Sequence, residues 1–235
     1  MTRPRLLDLC CKAGGAARGY QLAGFHVVGV DVEPQPRFAG DEFVLGDALA
    51  FLRDGGARGF DAVHASWPCQ AKLAGLGAAN RALGRAYDHV DIVDEGRALM
   101  LATGLPYVIE QPMKGARLRA PIVYCGSSFG LPIHRHRQFE SNVLLLSPAC
   151  EHDRLREAKY WTGYGTDWGG PADRVRERKL SRVVQVSGNG GGREEWGPAL
   201  GIDWMRPDEL TQAIPPAYTQ HIGEQLLAHV TRRAA

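Results

Sequence analysis

Four side chains in this sequence are of types that could carry out covalent chemistry together: Cys69, Glu110, Arg135 and Arg137. Thiol, carboxyl and guanidinium groups that converge form a set suited to nucleophilic attack on a flat, polar heterocycle. The two arginines share a face if residues 134–137 are extended, because alternate residues of a strand point the same way. The structural alternatives are a buried cysteine that acts only as a small apolar residue, and a surface strand of alternating charge.

A second group of residues could bind a nucleoside. Gly14 and Gly15 form a glycine-rich turn that lacks the G-x-G-x-x-G pattern of dinucleotide sites. Asp31 follows a second apolar run, where a carboxylate can accept hydrogen bonds from both ribose hydroxyls. Asp47 follows a third run, where a carboxylate can accept one from an adenine amino group. The alternative is that both aspartates only cap the helices that follow them.

Alternating strands and helices are predicted to bring these residues together. Apolar strands are expected at 6–9, 25–30, 43–45, 62–65 and 107–109, with helices at about 16–23, from 48, at 90–103 and at 217–230. Strands that are apolar along their length are typical of a parallel sheet covered on both faces. Ligands bind outside the carboxyl ends of such strands, where the glycine turn, Asp31, Asp47, Cys69 and Glu110 all fall. We therefore predict an α/β fold with a mostly parallel, doubly wound sheet.

The composition is that of an ordinary globular chain, with 235 residues, 44% of them hydrophobic and 23% charged. No apolar run approaches the roughly 18 residues that a membrane span needs, and the N-terminus does not resemble a secretory signal. We therefore expect a soluble, cytoplasmic protein without a membrane partner. The five cysteines include no C-x-x-C pair, so we expect neither a disulfide framework nor a metal ion.

The charge is unevenly distributed along the chain. Residues 114–182 contain 13 Lys or Arg against 7 Asp or Glu, although the whole chain carries a net charge of only +2. A basic segment of this kind indicates contact with a polyanion such as nucleic acid. The alternative is a solvated, arginine-rich helix at about 173–182. Residues 148–206 hold four of the five tryptophans and a glycine-rich run at 187–193, which predicts a loop-rich insertion.

Short motifs along the chain resemble those of the DNA cytosine carbon-5 methyltransferases, and in particular short, phage-type members. They are Asp8-Leu-Cys-Cys-Lys-Ala-Gly-Gly15, Gly29-Val-Asp31, Gly46-Asp47, Pro68-Cys-Gln70, Glu110-Gln-Pro112, Arg135-His-Arg137, and Gln212-Ala-Ile-Pro-Pro216 with Ile222-Gly-Glu224. The motifs occur in the family's order and cover residues 5–140 and 208–230. Each motif is short, but the ordered set is difficult to obtain by chance.

The resemblance implies a Rossmann-like class I methyltransferase fold. Residues 1–147 and 207–235 would form the catalytic domain that binds S-adenosylmethionine, and 148–206 a reduced target-recognition region that contacts double-stranded DNA. Contacts with the cofactor, or with its product S-adenosylhomocysteine, would come from Leu9, Cys10, Cys11, Lys12, Ala13, Gly14, Gly15, Asp31, Val32, Gly46, Asp47, Ala48, Pro68, Gln212 and Ala213. Contacts with the base or the DNA would come from Trp67, Gln70, Lys72, Gln111 and Pro112. A role in restriction-modification is a further expectation.

The family's chemistry assigns a role to each of the four side chains named first. Cys69 would add to carbon 6 of a flipped-out cytosine, and Glu110 would donate to ring nitrogen 3. Arg137 would hold oxygen 2, and Arg135 would bind nearby polar groups or a phosphate. After methyl transfer to carbon 5, a base removes the proton and Cys69 leaves.

Departures from the family pattern leave alternatives open. Cys10 stands where the family has an aromatic residue, Lys12 where it has the first loop glycine, and Gln111 where it has asparagine. Trp67 and Lys72 also lie beside the expected thiol. These changes are compatible with ordinary methylation, with transfer of a carboxylated methyl group from an altered sulfonium donor, or with a non-catalytic DNA-binding relative. A small-molecule methyltransferase is disfavoured by the basic segment.

Overall fold

The computed structural model describes residues 2–69, 91–152, 183–186 and 193–234. The strands are β1 (Arg5–Leu9), β2 (His26–Asp31), β3 (Glu42–Leu45), β4 (Ala62–Ala65), β5 (Tyr107–Pro112), β6 (Ile122–Tyr124) and β7 (Arg137–Ser141). The helices are α1 (Gly15–Leu22), α2 (Ala48–Arg53), α3 (Val93–Ala102), α4 (Arg193–Leu200), α5 (Pro207–Leu210) and α6 (Pro216–Ala234), with a 3₁₀ turn at Gly126–Phe129.

The strands form one sheet in the order β3-β2-β1-β4-β5-β7-β6. Pairing is parallel from β3 through β5, and β7 runs antiparallel to both β5 and β6. The predicted mostly parallel α/β fold is therefore confirmed. The strand order reverses between β1 and β4, and the carboxyl edge of a parallel sheet at such a reversal is where ligands bind.

Apolar residues cover both faces of the sheet, as its uniformly apolar strands predict. Leu6 and Val27 pack in one cluster with α1 and α6, whereas Leu7 and Val63 pack in a second cluster with α2 and α3. Neighbouring residues such as Leu6 and Leu7 point to opposite faces because strand side chains alternate. This two-sided burial holds β1 and β4 in the centre of the molecule.

The C-terminal part of the chain packs directly on its beginning. A β-carbon on Gly15 would lie 2.5 Å from the carbonyl oxygen of Ile214, and one on Gly19 would lie 2.2 Å from that of Pro216. Both glycines are therefore needed for α6 and the segment before it to approach α1 this closely. The indole Nε1 of Trp204 also donates to the carbonyl of Ala13 at 2.9 Å.

Part of the predicted loop-rich insertion packs with the sheet domain. Trp196 and Leu200 of α4 are buried with Ile133 and Leu210 in a small apolar cluster. The proposed limits of the recognition region, 148 and 206, stay a prediction, because residues 153–182 and 187–192 lie outside the described structure. Within the described ranges, no helix combines the length and the apolar character required to span a bilayer.

Candidate active site

Cys69 lies just beyond the carboxyl end of β4, on a short segment held to its neighbours. The amide of Ser66 donates to the carbonyl of Leu9 at 3.1 Å, and the carbonyl of Trp67 accepts from Nε2 of Gln111 at 2.7 Å. The segment is thus bonded to β1 on one side and to β5 on the other. The Cys69 side chain is partly buried at this edge.

Glu110 of β5 is buried beside the guanidinium of Arg137. The Nε atom of Arg137 lies 2.9 Å from Oε1 of Glu110, and Glu110 is 6% exposed. Oε1 nevertheless accepts no hydrogen bond from the described residues, since the N–H vector is poorly aligned with it. Burial raises the pKa of Glu110, while Arg137 and then Arg135 oppose the rise. The pocket therefore shifts the carboxyl group toward its protonated form and leaves Oε1 without a hydrogen-bond partner among the described residues.

The thiol of Cys69 is close enough to these groups to interact with both of them electrostatically. Burial raises the pKa of Cys69, the carboxylate of Glu110 raises it further, and the guanidinium of Arg137 lowers it. Because a thiolate is the reactive form of cysteine, Arg137 is positioned to favour the nucleophile. The structure thus places the thiol within electrostatic range of the carboxyl and guanidinium groups, and their joint role stays a prediction.

The Arg135 guanidinium donates hydrogen bonds to three backbone carbonyls, two of them at residues 211 and 213 of the C-terminal segment. Its Nε donates to the carbonyl of Ala213 at 3.1 Å, its Nη1 to that of Val186 at 3.2 Å, and its Nη2 to that of Thr211. Burial, followed by the charge of Arg137, lowers the pKa of Arg135 to about 9. In this arrangement Arg135 ties residues 211–213 to the active site, and its expected contact with a phosphate stays a prediction.

The side chains of Gln111 and Trp67 are buried and contact other parts of the fold. Gln111 is fully buried, and its Oε1 accepts from the amide of Ala116 at 3.2 Å, in addition to the bond that its Nε2 donates. The Trp67 ring is 2% exposed and lies against Gly96 of α3, where a β-carbon would be 2.4 Å from the ring. Pro112 ends β5 and is partly buried. Gln70 and Lys72 lie outside the described residues.

The loop after β1 is shaped by left-handed backbone conformations. Cys10 and Lys12 have φ angles of 55° and 46°, and Gly14, which precedes α1, has a φ angle of 81°. Side chains other than glycine rarely adopt such angles, so strain at Cys10 and Lys12 is a feature typical of functional loops. Lys12 occupies the position where the resembled family has glycine, and the left-handed backbone shows why glycine suits it.

Asp31 and Asp47 behave differently. Each oxygen of the buried Asp31 carboxylate accepts one backbone N–H, from Lys12 at 3.0 Å and from Glu33 at 3.1 Å. Each oxygen therefore keeps a lone pair for a ligand. Asp47 is exposed and caps α2 by accepting a hydrogen bond from the amide of Ala50 at 2.7 Å. Helix capping is the alternative role that the sequence left open for this residue.

The other residues expected at the cofactor site occupy both buried and exposed positions. Those that are buried are Leu9, Cys11, Ala13, Gly14, Gly15, Ala48 and Ala213. Cys10, Gly46 and Pro68 are partly buried, Gln212 is exposed, and Val32 is 63% exposed. Because the buried members are mostly glycine, alanine or other small residues, we expect them to meet a ligand mainly through their backbone.

A cavity of about 360 Å³ adjoins the loop after β1, and the sequence did not indicate that Arg37 and Glu209 would line it. Its lining includes Lys12, Glu33, Arg37, Glu209 and Gln212. Arg37 binds Glu209 through two parallel bonds of 2.9 and 2.8 Å, which closes one side of the cavity. These two residues are 172 positions apart, and no local pattern marks either of them.

Comparisons with known proteins identify the fold. No family model matches the chain, and no curated protein matches it in sequence. Among solved structures, a protein described as a DNA modification methyltransferase encoded within an E. coli prophage has 13% identity and a TM-score of 0.54. The Dnmt2 methyltransferase of S. pombe has 11% identity and a TM-score of 0.58. Each match covers 97% of this chain and 99% of the other. The strand order, the parallel pairing and these matches together show that the chain has a methyltransferase fold.

Proposed function

We propose that this protein is a DNA cytosine carbon-5 methyltransferase that uses S-adenosylmethionine. The proposal depends on one observation: at the carboxyl edge of a sheet with methyltransferase topology, Arg137 pairs with the buried Glu110 carboxyl group, and the Cys69 thiol lies within electrostatic range of both. A second support is that both solved structures described above are methyltransferases, one of them described as acting in DNA modification.

The residues near Asp31 suit S-adenosylmethionine, which when bound supplies an electrophilic methyl group. Asp31 retains lone pairs for two ribose hydroxyls, and the strained loop at Cys10–Gly14 places backbone groups beside it. Burial raises the pKa of Cys10 to about 12, so this thiol stays neutral and does not compete with Cys69 as a nucleophile. Lys12, Gln212 and the cavity lie on the same side of the loop.

The active-site side chains divide the work on the cytosine ring. The Cys69 thiolate adds to carbon 6, which gives carbon 5 the electron density that it needs to accept a methyl group. Glu110 donates its proton, or a hydrogen bond, to nitrogen 3 as negative charge develops in the ring. Arg137 binds oxygen 2 and keeps the ring against the thiol. Removal of the carbon-5 proton by a base then lets the bond from Cys69 to carbon 6 break.

A base inside a duplex cannot reach Cys69, so the proposal requires that the target cytosine is flipped out. Extrusion costs about a few kcal/mol, which contacts with phosphates can offset. Lys114, Arg117 and Arg119 are exposed on the segment that directly follows β5 and Glu110. We assign to these three cations the role of contacting the backbone next to the extruded base.

The test is a methylation assay on duplex DNA with isotopically labelled S-adenosylmethionine, followed by digestion to nucleosides and mass spectrometry. The expected product is 5-methylcytidine in its deoxy form, and its mass separates a plain methyl group from a carboxylated one. The matched variant Cys69→Ser should give no product while still binding DNA. Label in adenine, or undiminished product from Cys69→Ser, would refute the proposed chemistry.

A further inference from the structure

Four side chains that are not among the proposed catalytic residues converge in an arrangement typical of metal ligands. Cys125, His136, Cys150 and His152 each offer one ligand atom, and these atoms all lie within 4.8 Å of one another. The Sγ of Cys125 is 3.3 Å from Nε2 of His152, and the Sγ of Cys150 is 3.5 Å from Nε2 of His136. Around a tetrahedral zinc ion, with Zn–S of about 2.3 Å and Zn–N of about 2.0 Å, such atoms stand roughly 3.3–3.8 Å apart.

A backbone carbonyl next to His136 determines which of its ring nitrogens can bind a metal ion. The Nδ1 atom of His136 lies 2.9 Å from the carbonyl oxygen of His134. A carbonyl oxygen can only accept, so Nδ1 carries the proton, and Nε2 presents its lone pair toward Cys150. A backbone partner of this kind commonly fixes the tautomer of a metal-binding histidine.

Ser127 supplies a comparable support for Cys125. Its Oγ accepts from the amide of Glu151 at 3.1 Å and lies 3.1 Å from Sγ of Cys125. Since Oγ already accepts the amide proton, its own hydroxyl proton is free to be donated to sulfur. A hydroxyl that donates to sulfur stabilises the thiolate form, which is the form that binds a metal ion.

We infer that Cys125, His136, Cys150 and His152 bind a structural zinc ion. Two thiolates and two neutral imidazoles favour Zn²⁺ over the hard cations, and they offset its charge. Four protein ligands fill a tetrahedral site, so the ion would have a structural and not a catalytic role. This site could not be predicted from the sequence, because its ligands do not follow the C-x-x-C spacing of common zinc motifs.

The position of the cluster indicates what the ion does. Cys125 directly follows β6, His136 directly precedes β7, and Cys150 and His152 lie on the chain that leaves the sheet after β7. A zinc ion would bind the ends of two paired strands to this outgoing chain. Because His136 stands between Arg135 and Arg137, the ion would also fix the backbone that presents both arginines.

The experiment measures metal content in the purified full-length chain. Protein expressed with zinc and passed through gel filtration should contain about one zinc ion per chain by elemental mass spectrometry. Cys150→Ser, at an exposed position, should lose most of this zinc, whereas Cys69→Ser, the same change outside the cluster, should retain it. Replacement of zinc by cobalt should give the intense absorption of tetrahedral thiolate ligation in wild type, and this absorption should weaken in Cys150→Ser.

A second variant removes the hydroxyl group that contacts Cys125 and leaves the four ligands unchanged. Ser127→Ala should weaken zinc binding by about 10–100-fold, the usual effect of removing an outer partner. Metal-free protein that takes up no zinc in a titration would overturn the proposal. A disulfide between Cys125 and Cys150 in protein purified without reductant, or unchanged zinc affinity in Cys150→Ser, would also overturn it.

Discussion

Replacing Glu140 tests how the strand that carries Arg137 is held in place. Glu140 of β7 and Arg97 of α3 are each 2% exposed and form two hydrogen bonds, of 2.7 and 3.0 Å. The same carboxylate accepts from the hydroxyl of Tyr107 at 3.0 Å and from the amide of Arg119 at 2.7 Å. Four donors thus converge on one buried carboxylate that joins α3, β5 and β7.

The variant Glu140→Gln preserves the size of the side chain but leaves the Arg97 guanidinium without its buried counter-charge. Breaking a buried ion pair on one side typically costs about 3–5 kcal/mol. We expect the free energy of unfolding to fall by an amount near the lower end of this range, because Arg97 also pairs with the exposed Asp94. A typical domain has an unfolding free energy of about 5–15 kcal/mol, so this loss would be a large fraction of the total.

The pH dependence of this effect has a definite sign. Burial raises the pKa of Glu140, but hydrogen bonds from Arg97, Arg119 and Tyr107 outweigh burial and leave the pKa below its ordinary value. A lowered pKa contributes stability above the unfolded-state value of about 4.3, and this contribution is lost as the pH falls through the lower, folded-state pKa. The difference between wild type and Glu140→Gln should therefore shrink in acid.

Urea denaturation followed by tryptophan fluorescence, at pH 7 and at a series of acidic pH values, measures these quantities. The matched control is Glu95→Gln, which breaks the ion pair with Arg53, whose two side chains are each 50% exposed. That pair should be worth no more than about 1 kcal/mol. Equal losses in the two variants, or a Glu140→Gln effect that grows in acid, would refute the reasoning.

Three further predictions concern the candidate active site. Burial raises the pKa of Glu110, so wild type should lose stability as the pH rises from the unfolded-state value of about 4.3 to the higher folded-state pKa. Glu110→Gln lacks this group, so thermal melts at a series of pH values from about 4 upward should show the stability difference shift in favour of the variant and then level off. A difference that stays the same across the whole series would count against this. Lys12→Gly should raise the free energy of unfolding by up to about 1 kcal/mol, because glycine adopts the left-handed backbone without strain. Lys12→Ala keeps the strain and should not raise it. Equal denaturation midpoints for the two variants would contradict this. DNA affinity should fall steeply between low and physiological salt, because phosphate contacts release counterions, and a flat titration would exclude the basic segment as the docking surface.

The sheet could be predicted from the sequence, and with it the edge at which Cys69 and Glu110 lie. Cys69 follows the apolar run at 62–65 after three residues and Glu110 directly follows the run at 107–109, and parallel strands bring their carboxyl ends to one edge. The left-handed backbone at Lys12 was not predicted, although the glycine that the resembled family has there is compatible with it. The sheet was predictable because it depends on local apolar patterns and on one rule of sheet architecture.

Other features depend on tertiary contacts that leave no local trace. Trp67 was expected to contact DNA, but its ring is buried because Gly96 of α3 leaves room for it. Arg37 meets Glu209 only because the C-terminal segment returns to the first loop. The same return explains why Arg135, which was expected to bind nearby polar groups or a phosphate, holds the carbonyls of residues 211 and 213.

The close packing of α6 on α1 has a consequence for synthesis of the protein. The first loop is made early in translation, but Gly15 and Gly19 find their partners only at Ile214 and Pro216. A nascent chain on the ribosome therefore cannot complete the walls of this loop until residues beyond 216 have emerged. Contacts so distant in sequence also slow folding, so we expect ligand binding to be acquired only once these residues have emerged, and not progressively during elongation.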